Sequence, residues 1–279
     1  MRYASVNGIE LGYRDCGSGF PLVFCHEYAG DLRSLERQIG YFSRRYRCIA
    51  FNYRGYPPST VPDDIDAYGS DDLVADLAGL LDHLGITETH LVGVATGGGV
   101  ALNFAIGRPE AVRGLAVVGP GAGSVGRPAW LAGAQALADA IRRDGMAALV
   151  DNMENAPQRQ ALRSKDPIAW ETFIAQIREM SPVGCANMMA NALMRRPPLF
   201  ELESELKRLR MPVLVAVGDQ DAPAFDACVF VSRTVADGAL AVLPNCGHML
   251  PLEEPALLNT ILGEFFAGVD ARRSNDGNR

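Results

Sequence analysis

Three short stretches of this sequence hold residue types that could do chemistry together. His248 stands in Asn245-Cys246-Gly247-His248-Met249, behind the apolar run Ala239–Leu243. Asp219 and Asp221 stand in Val217-Gly218-Asp219-Gln220-Asp221, at the end of the run Met211–Val217. An imidazole changes charge near neutral pH, and a carboxylate against its far nitrogen fixes its tautomer and steadies the imidazolium. The third stretch, Gly93-Val94-Ala95-Thr96-Gly97, links the run His90–Val94 to a small-residue helix over Gly97–Ile106. It has the Gly-x-Ser-x-Gly layout, a sharp strand-to-helix turn that pushes its central side chain outward. Such a turn holds its central residue at strained dihedrals, a cost of about 1–3 kcal/mol, and needs tiny neighbours such as Gly93 and Gly97. The central residue here is Ala95, so the sequence supplies a base, an acid and a presenting turn without an attacking oxygen.

The elements that must position these groups follow from apolar patterning. Tyr3–Val6 and Ile9–Asp15 flank Asn7-Gly8, a favoured two-residue hairpin turn. Pro21–Cys25, Cys48–Phe51, His90–Val94, Leu115–Val118, Met211–Val217 and Ala239–Leu243 have the length and apolarity of buried parallel strands. Helical spacing fills the gaps over Leu32–Arg44, Asp71–Leu84 and Pro251–Phe266, with Ser70-Asp71 as the cap of the second and Gly85 as its stop. Alternating strands and helices predict a mainly parallel α/β sheet with helices on both faces.

The alternation breaks after Ser124. Pro128–Arg143, Met146–Met153, Pro167–Met180 and Val183–Met194 are helical patterns with no strand between them. This predicts an all-helical lid over 124–209, a core of 1–123 and 210–268, and a flexible tail over 269–279. Trp130, Trp170, Phe173 and six methionines, Met146, Met153, Met180, Met188, Met189 and Met194, fall in the lid. Methionine surfaces adapt to irregular apolar partners. Trp130, Trp170, Met188 and, beside the histidine, Met249 are the candidate substrate contacts, with the lid's own core as the competing role.

Composition narrows the partners. The chain has 279 residues, 48% hydrophobic, with net charge −7 and no long basic run. That argues against nucleic acid. No stretch is apolar enough to span a membrane, and the N-terminus lacks the apolar segment of a signal peptide. The six cysteines have no metal-ligand or CxxC spacing, which predicts reduced, mostly buried thiols and a cytoplasmic setting. Gly97-Gly98-Gly99 lacks the Lys-Ser/Thr of a phosphate loop, so neither metal nor organic cofactor is expected. A small-molecule substrate is the expected partner, with homo-oligomerisation open.

The order elbow, acid, histidine, with the lid between the sixth and seventh strands, resembles the α/β-hydrolase superfamily, in its lid-bearing esterase, C–C-bond hydrolase and epoxide hydrolase branch. Cys25-His26-Glu27-Tyr28 is similar to that family's His-Gly-x-Pro loop, and Asn52-Tyr53-Arg54-Gly55 to its Asp-x-Arg-Gly stretch. The resemblance covers the chain to about Phe266. It implies His248 as general base, Asp221 rather than Asp219 as its acid, and an oxyanion hole from the amides of Tyr28 and Thr96. It also implies structural roles for Arg54, bracing nearby loops, and for His26, bonded to backbone. His83 and His90 read as surface residues. Neither Cys25 nor Cys246 stands at the elbow.

Three departures matter. Ala95 cannot form an acyl-enzyme. Glu27 replaces a glycine and is expected to face solvent or pair with an arginine. Pro57 also replaces a glycine, with no functional account. The implied parent reaction is hydrolysis of an ester, lactone or activated C–C bond in a mostly apolar molecule. Two other readings remain: a cofactor-free dioxygenase or lyase using the His248–Asp221 dyad as base, and a ligand-binding receptor-like protein.

Overall fold

Strands β1 (Arg2–Val6), β2 (Ile9–Cys16), β3 (Pro21–Cys25), β4 (Arg47–Phe51), β5 (Thr89–Val94), β6 (Val112–Val118), β7 (Val213–Gly218) and β8 (Gly238–Leu243) form one sheet in the order β1-β2-β4-β3-β5-β6-β7-β8. They come from a computed structural model, which describes residues 1–276. Only β2 runs against its neighbours; every pairing from β4 to β8 is parallel. The β1–β2 hairpin turns on Asn7 and Gly8, at φ 47° and 79°, the double left-handed turn that matches strand twist. Every residue of β5 and β7 is buried, as central parallel strands require.

Two hydrophobic layers sandwich the sheet. Below it, Val92 and Val94 of β5 meet Ile39 and Phe42 of the helix Glu36–Phe42 and Leu258, Leu262 and Phe266 of the helix Pro255–Asp276. Above it, Leu91 and Leu115 meet the helices Ser70–His83, Thr96–Gly107 and Ala222–Thr234 and the helical insertion. The insertion runs from Arg127–Asp144 through Met146–Asn155, Gln160–Lys165 and Pro167–Arg178 to Pro182–Asn187, which ends in a π-helical turn over Met188–Leu193. Ion pairs Arg33–Glu179, Arg37–Asp166 and Lys165–Glu254, at 2.6, 3.0 and 2.6 Å, tie its underside to the core.

Several expectations need correction. The helix after residue 69 is capped by Gly69, whose amide donates to Asp72 Oδ2 at 2.9 Å, rather than by Ser70-Asp71. β8 is an edge strand, with Leu240 40% and Val242 44% exposed, rather than a fully buried one. The helix Ala222–Thr234 had no expected counterpart. The last helix continues through the segment read as a tail: Val269 is buried, and Asp270 accepts from Tyr46 Oη at 3.1 Å and pairs with His90 Nε2 at 3.1 Å and Arg113 Nη1 at 3.3 Å. Residues 277–279 of the expected tail lie outside the described residues. His83 is exposed, but His90 is fully buried, because Asp270 and the ring of Phe266, 4.6 Å away, enclose it. Among the described residues, no helix is long and apolar enough to cross a membrane.

Candidate active site

The turn between β5 and the helix Thr96–Gly107 holds Ala95 at φ 49°, ψ −106°, a conformation L-residues rarely adopt. Packing enforces it. A Cβ on Gly93 would sit 2.3 Å from Gly97 O, and one on Gly97 would sit 2.2 Å from Cys25 O. Those contacts are backbone and cannot swing aside, so both positions admit only glycine. Ala95 N donates to Val118 O at 2.8 Å, which ties the turn to β6. The Ala95 methyl ends on the wall of a cavity.

His248 reaches the same cavity from the loop after β8. Its Nδ1 lies 2.6 Å from Oδ2 of fully buried Asp221, the carboxylate accepting the ring N–H, and Nε2 has no hydrogen-bond partner among the described residues. Asp219 instead holds the histidine loop, its Oδ1 accepting from Cys246 N at 3.1 Å. Gly119 backs the pair at φ +57°, and a Cβ there would meet Asp221 Oδ2 at 3.2 Å and His248 Nδ1 at 3.5 Å. The helical insertion also grips this loop, because His248 N donates to Gln158 O at 2.7 Å.

The loop after β3 forms the facing wall. His26 Nδ1 donates to Glu27 O at 2.7 Å, and its Nε2 accepts from Tyr53 N at 3.3 Å. Burial pulls this imidazole down to about 4, so it is a neutral clamp. Tyr28 donates its hydroxyl to Cys185 O of the insertion at 2.9 Å and accepts from Tyr56 Oη on its carbonyl. Among the described residues, neither the Tyr28 nor the Thr96 amide donates to a protein acceptor. Both residues line the cavity, and the Thr96 amide opens a helix whose first-turn amides point outward. Arg54 braces the loop beneath with two 2.6 Å bonds to fully buried Asp76 and one to Ala67 O.

Glu27 does not face solvent. It is 3% exposed, lines the cavity and accepts from Ser34 Oγ at 3.0 Å. Burial pushes its carboxyl above the usual carboxylate range. Among the described residues it makes no ion pair within 4 Å, although Arg159 lines the same cavity.

The cavity measures about 280 Å³. Trp130 lines it, packed on Gly123. Trp170, Met188 and Met249 do not. Trp170 stacks 5.8 Å from Phe173 inside the insertion, Met188 is wholly enclosed there, and the Met249 sulfur lies against the Arg159 guanidinium. Met153 and Met189 come to the wall instead, with Leu137 and Leu193. Helical spacing puts these methionines on apolar faces without saying which face looks inward. Arg159 and Arg196, both on the wall, had no sequence signal, because each becomes a cavity residue only through the fold of the insertion.

Burial raises the thiol of Cys25 to about 12 and also raises that of Cys246. The cysteines are all free, and five of the six are buried.

Residues 21–255 match the family model described as alpha/beta hydrolase fold. The chain is similar to the 2-hydroxymuconate semialdehyde hydrolase of Pseudomonas sp. (strain CF600), with 28% identity over 274 residues, 95% of this chain and 93% of that one. It is similar to 3-oxoadipate enol-lactonase 2 of Acinetobacter baylyi, with 26% identity over 257 residues, 90% and 91% of the two chains. Among solved structures it is similar to a thermophilic esterase from Thermogutta terrifontis, with TM-score 0.87 and 25% identity across 96% of this chain and 99% of that one.

Proposed function

This chain belongs to the alpha/beta hydrolase fold family, and from that premise we propose that its cavity is built for acyl transfer from a small, mostly apolar ester, lactone or activated C–C substrate, with the nucleophile position occupied by Ala95. The supporting observation is a convergence: the Ala95 methyl, the His248 imidazole and the residues bearing two unpartnered amides, Tyr28 and Thr96, share one cavity wall. In this reading a hydroxyl on residue 95 attacks the carbonyl carbon, and His248 Nε2 takes its proton. Asp221 holds the imidazolium, and the oxygen that gains the electron pair sits on the two amides. As it stands, the chain binds the substrate and leaves the carbonyl intact. The helical insertion then serves as a lid, its apolar wall from Leu137, Met153, Met189 and Leu193 receiving the substrate body. The test is Ala95→Ser against aryl esters, lactones and vinylogous diketones. No gain on any class sinks the reading.

A second reading has its own support. The His248–Asp221 bond is short and Nε2 is free, so the dyad can abstract a proton from carbon without a nucleophile. A cofactor-free lyase or dioxygenase would work this way. Activity of the unaltered chain that vanishes in His248→Asn favours it, whereas tight ligand binding indifferent to both Asp221 and His248 favours a receptor-like role.

A further inference from the structure

Arg196 stands on the cavity wall with one bond that accounts for a single edge of its guanidinium, Nη2 donating to Ala122 O at 2.8 Å. Among the described residues, no carboxylate lies within ion-pair distance of it. Burial pulls its pKa down to about 10, and repulsion from its charged neighbour Arg127 adds to the fall. Arg127 is likewise held by neutral groups: the carbonyls of Gly123, Met194 and Arg196, and the Trp130 ring 5.2 Å away. Two guanidiniums thus stand at the seam between insertion and core with no carboxylate partner among the described residues. Both side chains are half-buried, and an anionic group on a ligand in the cavity would supply the counter-charge that the protein does not.

Arg159, the other arginine on the wall, is a poorer candidate. Glu27, Asp221 and Glu253 all bear on its charge and offset it in part, although burial outweighs them and holds its pKa below the usual value. Among the described residues no acid bears on Arg196 in the same way. The same acids limit what the cavity admits. A dianion such as a phosphate monoester would meet Glu27 and Asp221 across about 280 Å³, whereas a single carboxylate is drawn to the arginine end and kept from the acidic end.

We propose that the substrate carries a carboxylate, that Arg196 receives it, and that this anchor sets which end of the molecule reaches Ala95 and His248. The proposal rests on the hydrolytic reading only for the position of the reacting carbonyl. It makes the substrate bifunctional: an acyl carbon at one end and an acid at the other, joined by a short apolar body beside Leu137 and Leu193.

Monomethyl glutarate and dimethyl glutarate have the same skeleton and differ in one charge. Calorimetric titration of the unaltered chain is expected to show the monoester binding at least tenfold more tightly than the diester. Arg196→Gln is expected to erase that preference and leave the diester unchanged, and Arg196→Lys to keep part of it. Equal binding of the two esters, no binding of the monoester, or a monoester preference that survives Arg196→Gln overturns the proposal. The comparison on the unaltered chain needs no variant, so a misfolded Arg196→Gln does not rescue it. The two readings fail separately. An Ala95→Ser chain that cleaves the diester with no preference for the monoester removes the anion site alone. Selective binding of the monoester without cleavage by Ala95→Ser removes the hydrolytic reading alone.

Discussion

Ala95→Ser adds one oxygen, and the surroundings set what that oxygen can do. The Cβ is already in place at φ 49°, ψ −106°, on the cavity wall, so Oγ enters open space and the turn needs no rearrangement. Its proton acceptor is ready: His248 is fixed by the 2.6 Å contact with Asp221, with Nε2 unengaged. Where a hydroxyl and its base act together, losing the hydroxyl costs about 10⁶-fold in turnover, while amides and binding alone leave about 10³–10⁴ over water. At 1.36 kcal/mol per factor of ten, the oxygen is worth about 8 kcal/mol of barrier. A generic ester held less well than the true substrate is expected to realise about half of that, a gain of about 10³-fold. The assay is stopped-flow release of nitrophenol from p-nitrophenyl acetate and butyrate, with a burst equal to the enzyme concentration and an acyl mass increment on the chain. Ala95→Ser/His248→Asn must lose the gain, since a serine without its base is an ordinary alcohol. A folded Ala95→Ser chain with an unchanged melting temperature and the rate of the alanine chain on every substrate refutes the reasoning.

Three further outcomes follow from packing and charge. Gly97→Ala forces a Cβ to 2.2 Å from Cys25 O and 2.7 Å from His26 O; calorimetry is expected to show a loss of about 3 kcal/mol or more, a fall of about 6–12 °C in melting temperature. Arg54→Ala leaves Asp76 buried without the two 2.6 Å bonds that hold it, a loss of about 3–5 kcal/mol in urea unfolding, while a lysine recovers only part. His26, lowered from 6.5 to about 4, stays neutral in the fold while the unfolded chain takes up a proton below 6.5, so stability falls with pH across that window. By about pH 5 this residue alone costs about 2 kcal/mol. Glu27 and Glu253, both raised by burial, act in the opposite sense, so the check is the difference between the unaltered chain and His26→Asn. Substitution should flatten the slope between about pH 7 and about pH 5.

Much of the fold was legible because apolar runs of strand length alternate with helical spacing. Pro21–Cys25 is a strand to the residue, and the turn at Asn7-Gly8 follows from backbone preference alone. The three chemical stretches were legible for the same reason, since each follows a strand that ends on the same side of a parallel sheet. What the chain pattern could not carry is contact across sequence distance. His90 looks like an exposed strand start until Asp270, one hundred and eighty residues later, covers it. Asp270 is also why the expected tail is helix. The side of each insertion helix that faces the cavity depends on how five short helices pack on one another, so Met189 and Met188, one residue apart, fall on opposite sides of that boundary. Glu27 reads as a surface acid by type, and only the neighbouring Gly30 gives its carboxyl room to fold inward.

The bond from His248 N to Gln158 O couples the histidine loop to the insertion. An insertion that met the core only through its own side chains would be exchangeable as a module. Here the backbone of His248 leans on the insertion, and Gly247 is pressed so close that a Cβ on it would sit 2.1 Å from the same carbonyl. Grafting a foreign cap onto this core would therefore disturb the imidazole along with the specificity. A change in the insertion and a change in the placement of the His248 ring are mechanically entangled in this chain.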